Sequence, residues 1–114
     1  MKAKFALARR GVFVMSLFTD SKLEFMISVI DNHRDETVPY NIHSVYRIEE
    51  IARTYGFTLV ENVWFQIPAD LPRPTEPGRG TYTRTLADGT RLQFSDCLHM
   101  PWKLLYFEKI TPTK

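Results

Sequence analysis

A single cysteine, Cys97, leaves this chain of 114 residues without an internal disulfide. That sets aside the disulfide-stapled secreted class and suits a reducing compartment. No stretch approaches the roughly 18 consecutive apolar residues that a membrane span needs. The five glycines form no phosphate-binding loop, and neither a nucleophile elbow nor a paired-carboxylate motif is present. No cofactor is therefore expected. Lys2, Lys4, Arg9 and Arg10 before the apolar run Val12 to Phe18 imitate a secretory leader. The imitation fails in detail, because the run is short and Phe18-Thr19-Asp20-Ser21-Lys22 offers no small-x-small cleavage pattern. The expectation is a cytoplasmic protein with no membrane association.

What is present is the composition of a folded domain, 44% hydrophobic and 25% charged, near the globular average. A chain of this length forms one domain and buries about two-thirds of its unfolded surface, so residues 1–114 are expected to make a single compact unit. Net charge is only +2, but it is unevenly spread. Residues 1–20 and 71–114 are basic and residues 21–70 are acidic, a distribution that makes the C-terminal part a candidate electrostatic surface.

The periodicity predicts mostly strands. Leu23 to Ile30 alternates with a period of two, and Val12 to Phe18, apolar on both faces, joins it through the turn-like Thr19-Asp20-Ser21-Lys22, which reads as a hairpin. Ala3 to Ala8 reads as a further strand. Asn32 to Asn41 is polar and reads as a loop. The period then changes: Val45, Ile48, Ile51, Ala52 and Tyr55 share one helical face, with Ser44 as the N-cap oxygen and Gly56 at the C-terminal end. This predicts one amphipathic helix over about 44–55. Phe57 to Ile67 alternates as a strand in which Glu61 breaks the apolar face and so signals a bulge or an edge. Pro68, Pro72, Pro74 and Pro77 hold the segment 69–80 in an exposed loop. Trp102 to Phe107, apolar on both faces, reads as a central strand. The order predicts an α+β fold, a mainly antiparallel curved sheet or partly open small barrel of about five to seven strands with one covering helix.

Asp88-Gly89 is the strongest hairpin signal in the chain and predicts a two-residue type I′ turn. Its register sets Leu86 opposite Arg91, Arg84 opposite Gln93 and Tyr82 opposite Ser95. Thr83, Thr85, Leu92 and Phe94 would then pack on the core, leaving Tyr82, Arg84, Arg91 and Gln93 on one free face. With Arg73 and Arg79 of the proline loop, these form the candidate partner-binding site. Tyrosine and arginine hold single-stranded nucleic acid by stacking and phosphate neutralisation; the same residues dominate protein–protein hot spots.

Other chemistry is thin. Cys97 and His99 lie near each other in sequence, but no orienting group accompanies them, and a buried inert thiol is the favoured reading. His33, His43 and His99 have no structural zinc spacing with Cys97 beyond that one pair, so no metal is expected. Ile48 to Thr58 resembles the first half of a helix-turn-helix, but a strand follows the glycine where a second helix is needed. The balance favours a non-enzymatic interaction module, an inhibitor or accessory factor binding a partner protein. A single-strand nucleic-acid binder is the alternative. A pocket protein or small enzyme, with the helix and Trp64 or Trp102 lining a cavity, is the third.

Overall fold

The computed structural model describes residues 2–75 and 80–110. Its elements are α1 (Lys2–Leu7), β1 (Gly11–Thr19), β2 (Phe25–Asp31), β3 (Glu36–Ser44), α2 (Val45–Thr54), β4 (Phe57–Trp64), β5 (Thr81–Thr85), β6 (Arg91–Ser95), β7 (Leu98–His99) and β8 (Trp102–Lys109). The strands form a five-stranded mixed sheet in the order β2-β3-β1-β8-β4 and a three-stranded antiparallel sheet in the order β5-β6-β7. The α+β class is as the sequence predicts, with two helices and two sheets where one of each was expected.

One face of the large sheet carries the core. Val12 and Val14 of β1 lie opposite Phe107 and Leu105 of β8, and Leu59 of β4 lies opposite Phe107 from the other side. Helix α2 covers them with Val45, Ile48 and Ala52, all buried. The predicted amphipathic face is therefore the one that packs. Gly56, at φ +79°, ends the helix in the left-handed region. Ser44 occupies the N-cap position but makes no side-chain cap bond: its hydroxyl donates to the Ser21 carbonyl at 2.7 Å, and its N–H donates to Glu24 at 3.2 Å. Among the described residues, the smaller sheet contributes no member to this buried cluster.

Three elements depart from the periodicity reading. Residues 2–7 are helical, because Lys, Ala and Leu favour a helix and one turn suffices to place Phe5 edge-on against Phe107 at 5.1 Å. Residues 36–44 are a strand, not a loop, and it is β3 that makes the hairpin with β2. Pro39 hid it. β1 does not pair with β2 at all; it pairs with β8 and, in parallel, with β3 at Phe18↔His43 and Thr19↔Ser44. In β4, by contrast, Glu61 marks both of the features expected of it, an edge strand and a register shift between Leu59 and Glu61.

The β5–β6 register is one residue off the expected one. Tyr82 lies opposite Phe94, Arg84 opposite Leu92 and Thr85 opposite Arg91. The turn explains it. Leu86 N–H donates to the Thr90 carbonyl at 2.8 Å and Gly89 N–H to the Leu86 carbonyl at 2.9 Å; Gly89 has φ +88° while Asp88 is not in the positive-φ region. This is a three-residue loop, a type I turn closed by a left-handed glycine bulge, rather than the two-residue type I′ turn. Asp88 accepts the Thr90 N–H at 2.9 Å, which holds its carboxyl below the usual range. Nothing stands within 4 Å of a Cβ built at Gly89, so Gly89→Val acts through backbone strain alone. It is expected to lower the unfolding free energy by about 1–3 kcal/mol; an unchanged denaturation midpoint would contradict the left-handed turn.

Candidate functional site

The slipped register redistributes the predicted site. A shift of one residue sends alternate side chains to opposite faces, so Tyr82 and Arg84 share a face with Phe94 and Leu92, while Arg91 and Gln93 share the other with Thr83 and Thr85. Tyr82 is buried at 6% exposure. Its ring stacks on Phe94 at 5.7 Å and its hydroxyl donates to the Asp96 carbonyl. The Arg73 guanidinium lies 5.3 Å over that ring and 3.6 Å from Asp96. Arg84 is exposed and lies 5.4 Å over Phe94. On the other face, Arg91 Nε donates to Asp70 at 2.9 Å, and Thr85 donates to the same oxygen. Those two bonds, Arg91 first, hold the Asp70 carboxyl below its ordinary range. Arg79 lies outside the described residues. The face predicted to gather Tyr82, Arg84, Arg91 and Gln93 does not exist as a unit: its one tyrosine is covered, and Arg73 and Arg91 are engaged with acids.

Cys97 is exposed, not buried. It follows Asp96, whose φ of 54° reverses the chain between β6 and β7, so the extended geometry that would align it with His99 is absent. His99 instead packs against Phe94 at 5.6 Å, and burial pushes its pKa below the ordinary histidine value. Among the described residues, no three His, Cys, Asp or Glu side chains converge as metal ligands.

Two further arrangements lie outside the predicted partner-binding residues. The first is the far face of the large sheet. Across β4, β8 and β1 it presents Val63, Leu104, Tyr106, Met15 and Phe13 in register, Phe13 opposite Tyr106 and Met15 opposite Leu104. The Phe13 and Tyr106 rings stack at 4.4 Å. They can do so because Gly11 has no side chain: a Cβ there would stand 2.8 Å from the Tyr106 ring. Phe13 remains 65% exposed, and Met15, Val63 and Phe65 are exposed too. Glu61 and Glu108 stand on the same face, opposite Tyr106 and Gly11, and Glu108 helps push the Tyr106 hydroxyl pKa upward after burial. The sequence signal was there: β1 and β8 are apolar on both faces, and a helix layer covers only one.

The second is a cavity of about 270 Å³ between the sheets, lined by Trp64, Phe65, Leu92, His99, Met100 and Trp102 among others. Both tryptophans named from the sequence line it; helix α2 does not. Compared with protein-family models, curated proteins and solved structures, the chain matches none. Its class is therefore defined by the fold and this face alone: a small α+β domain whose main sheet is covered by helices on one side and apolar on the other.

Proposed function

We propose that the protein is a non-enzymatic cytoplasmic module that binds a partner protein through the apolar face built by Phe13, Met15, Val63, Leu104 and Tyr106. One observation carries this reading. A sheet exposed on one side ordinarily alternates apolar inward and polar outward, whereas β1 and β8 carry large apolar side chains on both sides; among the described residues the second side is covered at its Leu17–Trp102 end, where Leu17 is buried, while Phe13 and Met15 stay exposed. Contiguous exposed apolar surface of this kind is the mark of an interaction site. A protein suits it better than a nucleic acid, because the charges on that face are the carboxylates Glu61 and Glu108, which repel phosphate, and because Tyr82 is covered by Arg73 and so offers no free ring for a base.

The test uses Phe13→Asp/Met15→Asp beside Arg84→Ala/Arg91→Ala, with wild-type protein as bait in lysate of its own source and a fluorescent oligonucleotide as second probe. The expected result is a captured protein that the Asp variant loses by about 100-fold or more in affinity, in keeping with truncation of an interface hot spot, while the Arg variant retains it. Capture lost only in the Arg variant, or salt-sensitive oligonucleotide binding, would overturn the reading.

A further inference from the structure

The edges of the two sheets are not treated alike. Proteins guard exposed strand edges with proline, bulges, charge, brevity or cover. β4 carries its register shift at Leu59/Glu61. β5 is covered, since Thr83 N–H donates to the Leu71 carbonyl at 3.1 Å and the Thr83 hydroxyl accepts from Leu71 N–H at 2.7 Å. β7 is two residues long and is soon followed by Pro101. Among the described residues, β2 has no such guard. From Phe25 to Ile30 it contains no charge, no proline and no bulge, and it ends the large sheet.

Pro39 sets the phase of that edge. It lies opposite Ser28, and because proline has no N–H, this cannot be a position where two residues exchange hydrogen bonds. Ser28↔Pro39 is therefore a non-hydrogen-bonded pair, and so, two residues either side, are Met26↔Asn41 and Ile30↔Thr37. It follows that the N–H and C=O groups of Met26, Ser28 and Ile30 point away from β3, toward the open edge. The proline also turns its blank nitrogen to the far side of β3. Met26 and Ile30 are 79% and 68% exposed.

We infer that β2 is a self-pairing edge, and that two copies of this chain join through antiparallel β2–β2 pairing about a two-fold axis centred on Ser28. A second copy fits because the strand is its own complement. Antiparallel pairing by a two-fold places each residue opposite one on the same face, so Glu24 cannot fall opposite Asp31. Centred on Ser28, the seven residues of β2 overlap in full: Ser28 meets Ser28, Ile27 meets Val29 and Met26 meets Ile30. Every outward N–H and C=O then finds an outward partner. The interface is isologous and closed, leaving no further edge of the same kind to propagate. It is distinct from the apolar sheet face proposed for the partner protein.

Charge substitution tests the register itself. Met26→Lys/Ile30→Lys puts like charges opposite each other at two symmetric places, whereas Met26→Lys/Ile30→Glu puts opposite charges there. All four side chains sit at exposed positions, and circular dichroism verifies that each variant is folded. By sedimentation equilibrium the wild type is expected at twice 13.3 kDa, the Lys/Lys variant at the single mass and the Lys/Glu variant back at the doubled mass. Ser28→Pro, which removes an outward N–H without touching the β2–β3 ladder, is expected at the single mass. Phe13→Asp/Met15→Asp is expected to remain doubled, which separates this interface from the partner face. A wild type of single mass, a Lys/Lys variant of doubled mass, or a Lys/Glu variant that stays single overturns the inference.

Discussion

Asp20→Ala is expected to lower the unfolding free energy by about 3 kcal/mol, the lower end of the range for breaking a buried ion pair. Lys103 stands on the core side of β8, in line with Leu105 and Phe107, at 3% exposure. Its ammonium donates to both Asp20 oxygens at 2.8 Å and to Asn62 at 2.9 Å, and lies 4.3 Å over the Trp64 ring. Without Asp20, a buried charge keeps one neutral acceptor and one aromatic face. The lower end of the range applies because the Asp20 side chain itself is 58% exposed and water reaches it. Lys103→Met is expected to cost much less, about 1 kcal/mol or under, since it removes the buried charge and leaves Asp20 in solvent. Denaturant titration of both variants reads the asymmetry; a larger loss for Lys103→Met would defeat the account.

The same pair predicts an acid response. The Lys103 hydrogen bond, assisted by Asn62 and opposed by partial burial, lowers the Asp20 pKa from 3.8. A carboxyl lowered on folding contributes stability that is fully present above its unfolded value and is lost as pH falls through the folded one. Wild type should therefore lose this increment below about pH 4, and the gap between wild type and Asp20→Ala should narrow there.

How much was legible in the chain depended on which signal was local. Helix α2 was, since five apolar residues at helical spacing, followed by a glycine, need no distant information. So was the bulge at Glu61. The β5–β6 register was not, although its turn residues were read correctly: Asp88-Gly89 serves a two-residue and a three-residue loop alike, and the choice between them moves every side chain of one strand to the other face. Arg91 thereby left Arg84 and found Asp70, a residue of the preceding segment that no periodicity connects to it. β3 was lost to Pro39, which is forbidden in a hydrogen-bonded position but harmless in the alternate one, and sequence alone does not tell the two apart. The apolar face was visible in part. Val12 to Phe18 and Trp102 to Phe107 are apolar on both sides, which was read as a central position for the second of them alone; β1 and β8 are both interior strands, and the second side is left exposed at Phe13 and Met15.

That difference between the two sides of one sheet yields the other large expected effect. Phe107→Ala should lower the unfolding free energy by about 3–5 kcal/mol, because its ring is fully buried and packs edge-on against Phe5, so its removal opens a cavity among groups held by two helices and three strands. Phe13→Ala, on the opposite side of the neighbouring strand, should cost only about 1 kcal/mol, the worth of its stack on Tyr106. The contrast is functional as well as structural. A ring that contributes little to folding yet stands on a flat apolar patch, over a glycine that leaves room for its stacking partner, has its free energy available for binding. Phe13→Ala should accordingly keep a melting curve near that of wild type and lose the captured partner. If thermal unfolding instead shows Phe13→Ala to be as damaging as Phe107→Ala, that face is already covered in the folded chain, and the site for a partner must be sought elsewhere.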